Sequence, residues 1–134
     1  MSNREIKFRG LTKDGKWKYG FFGFNPIEGQ FYIHEVEDVP PTQQDPCGSV
    51  YSERYDVEPA TIGQFTGIKD INGIGIYEGD IVKWSGKIYV IKWLEHIAGF
   101  IMQRIDFDLE RPDMDFETEI IGNIYQNPEL LTKP

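Results

Sequence analysis

The sequence predicts a mainly β protein: a small curled sheet or an SH3-like barrel of short antiparallel strands, with little helix. Two observations predict it. Several short runs alternate apolar and polar residues with period two, which places one side-chain set on each face of a strand. These runs are separated at short intervals by Gly, Asn, Asp and Pro, the residues of tight turns.

The first run is Glu5 to Arg9, with Ile6 and Phe8 facing one way and Lys7 and Arg9 the other. Thr12-Lys-Asp-Gly15 reads as a turn. Lys16 to Phe22 resumes the alternation, with Trp17, Tyr19 and Phe21 on one face, so the two runs predict a β-hairpin. Alternation alone sets the basic residues of this hairpin opposite its aromatic ones and predicts the aromatics as core. Asn25-Pro26 and Glu28-Gly29 break the chain before a third strand, Gln30 to Val36. Glu37 to Ser49 is polar and carries Pro40, Pro41 and Pro46, the composition of a long mobile loop. Val50 to Val57 predicts a short strand, and Pro59 to Gln64 a single helical turn.

Asp70-Ile-Asn-Gly73 is turn chemistry: Asn72-Gly73 suits the positive-φ positions of a type I′ turn. Glu78-Gly-Asp80 reads as a second turn leading into Ile81-Val82. Asp80 to Trp84 and Lys87 to Leu94 predict strands around Ser85-Gly86, with Tyr89, Ile91 and Trp93 on one face. A loop at Glu95 to Gly99, a strand at Phe100 to Ile105, a closing strand at Glu119 to Tyr125 and a final turn at Pro128 to Leu131 complete the reading. The chain length of 134 residues suits one domain, 1–134, with a possible subdivision into 1–58 and 59–134.

Composition narrows the function classes. No apolar run is long enough to cross a membrane, and the polar start Met1-Ser-Asn-Arg-Glu5 lacks the apolar core of a signal peptide. Cys47 is the single cysteine, which excludes an intrachain disulfide and fits a reducing cytoplasm. The formal net charge is −8, but it is unevenly spread. Residues 1–20 hold six basic and two acidic residues, while the remainder holds eight basic and twenty acidic ones. An acidic body repels nucleic-acid phosphates at long range.

Two charged features are candidate partner surfaces. One is the basic hairpin Lys7, Arg9, Lys16 and Lys18. The other is an acidic ladder: Asp106, Asp108 and Glu110, then Asp113, Asp115 and Glu117, alternating with apolar residues. Period two puts these carboxylates on one face, where they also discourage edge-to-edge pairing. The ladder splays like charges apart instead of converging them on an ion, so no metal site is expected there. Asp-X-Asn-Gly at 70–73 resembles the start of a calcium loop but lacks the later ligands and flanking helices. His34, His96 and Cys47 carry no signature of a nucleophile with its base. Asp70, Glu78 and Asp80 sit beside turn residues, where capping is the expected role. No phosphate-cradling or dinucleotide-binding glycine spacing occurs, so no cofactor is expected.

Three separated blocks carry a resemblance. They are Arg4-Glu-Ile-Lys-Phe-Arg-Gly10 with Gly15-Lys-Trp17 and Tyr19-Gly20; Thr61-Ile-Gly-Gln-Phe-Thr-Gly67 with Asp70, Gly73 and Ile76-Tyr-Glu-Gly-Asp-Ile-Val82; and Ile121-Gly-Asn-Ile-Tyr-Gln-Asn-Pro-Glu-Leu-Leu131. In this order they resemble the YopX family of phage and prophage proteins, with Phe24 to Pro59 the least typical stretch. The resemblance implies a mostly β protein and brings no catalytic residues. The expectation is therefore a non-enzymatic accessory protein acting by protein–protein contact or self-assembly as a homo-oligomer. The alternative is a nucleic-acid-binding small β-barrel using the basic N-terminal strands.

Overall fold

The structure is a computed structural model and describes residues 6–36, 52–105, 110–111 and 117–131. The chain divides into two compact units, Lys7–Gly63 and Gln64–Pro134, the latter including Ile6.

In the Lys7–Gly63 unit, β1 (Phe8–Leu11), β2 (Trp17–Asn25), β3 (Gln30–Val36) and β4 (Ser52–Asp56) pair antiparallel in chain order. Each connection that is described is a tight turn. At the first, Thr12 N–H donates to Lys16 O and Gly15 N–H to Thr12 O. The Thr12 hydroxyl caps the same turn, accepting Lys16 N–H at 3.1 Å and donating to Asp14. At the second, Asn25 Oδ1 accepts the Ile27 N–H at 3.0 Å, the local bond that lets Asn open a turn. A 3-10 turn at Pro59–Thr61 follows β4. Its Thr61 hydroxyl donates to Glu58 O at 2.6 Å and accepts Leu11 N–H at 2.9 Å. Glu58 N–H in turn donates to Leu11 O. Val57 packs on Gly10 so tightly that a Cβ there would stand 2.8 Å from a Val57 methyl. Among the described residues of this unit, Ile33 and Val57 are the fully buried apolar side chains.

In the Gln64–Pro134 unit, the strand β5 (Gly63–Lys69) forms a hairpin with β6 (Gly75–Tyr77). A five-stranded antiparallel sheet follows. It is built from β7 (Asp80–Trp84), β8 (Lys87–Leu94), β9 (Gly99–Arg104), β10 (Glu110–Arg111) and β11 (Glu119–Asn123), in the order β10-β9-β8-β7-β11. Ile76, Val82, Tyr89, Ile91 and Met102 form the core, with Ile68, Trp84 and Ile120 packed against it. Full burial of one such side chain contributes about 1.5–3 kcal/mol. The sheet is open. Barrel closure needs the edge strands to hydrogen-bond to each other, whereas β10 and β11 lie at opposite edges. Of the two architectures expected, the open sheet is the one formed.

Of two hairpin turns, Ser85-Gly86 takes the geometry expected at Asn72-Gly73. Ser85 and Gly86, at φ 51° and 77°, both lie in the left-handed region between the paired residues Trp84 and Lys87, the pattern of a type I′ turn. At Asn72-Gly73 only Gly73 has positive φ, at 79°. Gly73 N–H donates to Asp70 O and Asp70 N–H to Ile74 O, giving a longer hairpin loop closed by a left-handed glycine. The expected type I′ geometry is overridden because Asp70 organises the loop. Its Oδ1 accepts the N–H groups of Asn72 and Ile74, each at 2.9 Å, and its Oδ2 that of Ile120 at 3.1 Å. Asp80 works similarly at the next turn, where its buried Oδ2 accepts Tyr77 N–H at 2.8 Å.

Candidate functional site

Strand register decides what the Lys7–Gly63 unit presents. Residues opposite each other in an antiparallel pair share a face. Arg9 faces Tyr19 and Gly10 faces Lys18 across β1 and β2. Phe21 faces His34 across β2 and β3, and His34 faces Arg54 across β3 and β4. One face therefore collects Arg9, Trp17, Tyr19, Phe21, Tyr32, His34 and Arg54. The other collects Phe8, Lys18, Phe22, Phe24, Phe31, Ile33, Glu35 and Tyr55.

The hairpin's cations thus do not share a face, and they are not segregated from its aromatics. Arg9 is buried, and its guanidinium lies 4.2 Å from the centre of the Trp17 ring. Lys18 is on the reverse face, 4.0 Å from the centre of the Tyr55 ring and 3.8 Å from a Glu35 carboxylate oxygen. Lys7 and Lys16 fall just outside the strands. Lys16 is exposed, 3.8 Å from Asp14. Alternation fixes the faces within each strand; the pairing of strands sets which faces coincide, and here it joins Arg9 to the aromatic set.

The β2 aromatics do not form the core that alternation predicts. They are largely solvent-exposed: Tyr19 at 45%, Phe21 at 53%, Phe22 at 45% and Phe24 at 49%, with Ile27 in the following turn at 94%. Tyr19 and Phe21 point from one face, Phe22 and Phe24 from the other, so one core could not cover both sets. The rings are nonetheless ordered by neighbours. Phe22 sits edge-on to Phe8 and Phe24 packs on Phe31, both at 4.7 Å between centroids. The Arg54 guanidinium lies 3.8 Å from the centre of the Tyr32 ring, which in turn meets His34 edge-on at 5.0 Å. Phe21, Phe24, Tyr32 and Arg54 are the residues that charge-based reasoning passes over. The signal was the pair Phe21-Phe22, which puts a ring on each face of one strand.

Of the acidic ladder, Glu110 and Glu117 are the described members. Asp106, Asp108, Asp113 and Asp115 lie outside the described residues, as does Cys47. Glu110 is in β10, with its backbone opposite Gln103. Glu117 is exposed in the turn before β11, and Thr118 beside it is fully buried. Among the described residues, no group of three or more His, Cys, Asp or Glu could hold a metal ion. Also among the described residues, no helix is long and apolar enough to cross a membrane.

The YopX protein family model matches residues 7–132, nearly the whole chain. The chain belongs to the YopX family. Among solved structures it is similar to the crystal structure of protein EF1440 from Enterococcus faecalis, at 22% sequence identity and a TM-score of 0.55. That match covers 97% of this chain and 100% of the other, and it shows a shared fold. No functionally curated protein matches. Within this YopX chain the residues brought together are thus an aromatic and guanidinium-bearing sheet surface.

Proposed function

We propose that the protein is a non-enzymatic phage or prophage accessory protein of the bacterial cytoplasm. It acts by contact with other protein chains, first of all a second copy of itself, through the surface of β2. The observation that carries this reading is the exposure of phenylalanines on both faces of one strand. Aromatic rings exposed at this density are costly in water and are enriched at protein interfaces, where they supply large contact area. The uneven charge adds a second contribution, since a basic N-terminal region and an acidic remainder can attract across two subunits. Light scattering or analytical ultracentrifugation tests it. The wild type is expected to exceed one subunit in mass, with the mass falling as salt rises. A Phe21→Ser, Phe24→Ser double variant is expected to be monomeric. A wild-type monomer at every salt and protein concentration sinks self-assembly.

A second reading has one observation in its favour. Register places Tyr19, Phe21, Tyr32, His34 and Arg54 on one sheet face, and rings interleaved with cations can stack on the bases of single-stranded nucleic acid. The net charge of −8 opposes it. Fluorescence anisotropy with single- and double-stranded probes at low salt decides. No binding at about 100 μM protein removes this reading, because non-specific binders register in that range.

A further inference from the structure

A cleft of about 200 Å³ opens in the Gln64–Pro134 unit, lined by Glu78, Gly79, Ile91, Lys92, Trp93 and Tyr125 among others. We propose that this cleft receives a guanidinium group, the arginine side chain of a partner protein. Glu78 would pair with the cation, Trp93 would offer a backbone carbonyl, and Tyr125 a ring wall.

The geometry follows from where β7 stops. Ile105 N–H donates to Ile88 O, so the even-numbered residues of β8 bond to β9. The odd-numbered residues Tyr89, Ile91 and Trp93 direct their backbone groups to the β7 side. There Gly79 N–H reaches Ile91 O, and β7 begins only at Asp80. The Trp93 carbonyl is therefore aimed at the space beside the Glu78-Gly79 turn. That turn is held in place by Glu78 N–H donating to Gln64 O at 3.0 Å, while Ile124 N–H donates to Gly79 O at 2.9 Å.

The ring wall is fixed as well. Asn123 Oδ1 accepts the N–H groups of Tyr125 and Gln126, forming the turn that carries Tyr125. Gly79 has φ 92°, and a Cβ there would stand 3.0 Å from the Tyr125 ring, so the ring lies directly on the glycine. Burial of Glu78 raises its pKa, and a hydrogen bond from the Gln64 backbone opposes that rise. A partly buried carboxylate gains more than an exposed one from a cation that replaces its lost water. A guanidinium suits this set better than an ammonium, because its planar fork can serve carboxylate and carbonyl together while lying on a ring. Lys92 lines the same cleft but is exposed, so its charge stays hydrated. This site is independent of the β2 surface, and either reading can fail alone.

The test titrates the full chain with N-acetylarginine amide while following the backbone amide resonances of Gly79, Trp93 and Tyr125. Saturable shifts are expected, with a Kd on the order of millimolar for a single side chain. N-acetylnorleucine amide should leave these resonances unmoved. Glu78→Gln keeps an acceptor for the Gln64 N–H and is expected to weaken arginine binding about tenfold or more. Lys92→Ala should tighten it. Absence of saturable shifts, an equal response to the norleucine probe, or a smaller loss in a folded Glu78→Gln protein overturns the proposal.

Discussion

Asp70 and Ile120, 50 residues apart in the chain, are joined by a 3.1 Å hydrogen bond from the Ile120 N–H to a carboxylate oxygen. The same carboxylate holds the hairpin loop through Asn72 and Ile74, and Asp70 is buried. One side chain therefore fastens a local turn to the strand that closes the sheet. Asp70→Ala leaves three backbone donors without it and is expected to cost about 3 kcal/mol or more. Asp70→Asn keeps the Oδ1 bonds but turns an amide toward Ile120, for a loss of about 1–2 kcal/mol. Urea unfolding measures both, and equal losses would contradict the two-ended role.

Gly20 separates from the other glycines by its surroundings. A Cβ at Gly20, where φ is 153°, would stand 1.9 Å from the His34 carbonyl oxygen. Gly20→Ala must therefore push β2 and β3 apart and is expected to cost about 3 kcal/mol or more. Gly15, at φ 83° with nothing within 4 Å of its Cβ position, should lose only the left-handed strain, about 1–2 kcal/mol. Comparison of the two denaturation midpoints checks the ordering.

Two of the four hairpin cations, Arg9 and Lys16, should differ in size of effect in a stability assay. Arg9 is buried over Trp17, so Arg9→Ala removes both packing and a cation–π contact, about 2 kcal/mol. Lys16 makes an exposed pair with Asp14, and Lys16→Ala should stay within about 0.5 kcal/mol. A large effect at Lys16 would contradict its exposed position just outside the strands.

Glu78 gives a pH signature of defined sign. Burial raises its folded-state pKa above the ordinary 4.5, so the folded protein binds the proton more tightly than the unfolded chain. Stability therefore falls as pH rises from 4.5 through the raised folded value, and the deficit persists at neutral pH. Glu78→Gln should be more stable than wild type at pH 7, with the difference closing as the pH drops below 4.5. Other carboxylates are common to both proteins and cancel in the comparison. A constant difference across that range would rule out the burial effect.

Most strands were legible because their signals are local. Gln30–Val36, Asp80–Trp84 and Lys87–Leu94 occupy the expected residues, since alternation and flanking turn residues lie within each run. What escaped was set between strands. The alternation of Glu5 to Arg9 and of Lys16 to Phe22 cannot say that Arg9 will stand opposite Tyr19. Asn72-Gly73 has the composition of a type I′ turn, but Asp70 reaches a strand far along the chain and selects another loop. The exposed β2 rings were half visible, as adjacent phenylalanines in a run otherwise read as core.

The clasp at Thr61 carries a consequence for how this unit folds. Leu11, near the start of the Lys7–Gly63 unit, is bonded to Glu58 and Thr61, near its end. The end of the first strand is thereby closed onto the last turn across 50 residues of chain. Loop closure over that span costs more entropy than any of the tight turns, so formation of the clasp is expected to be the slow step in the folding of this unit.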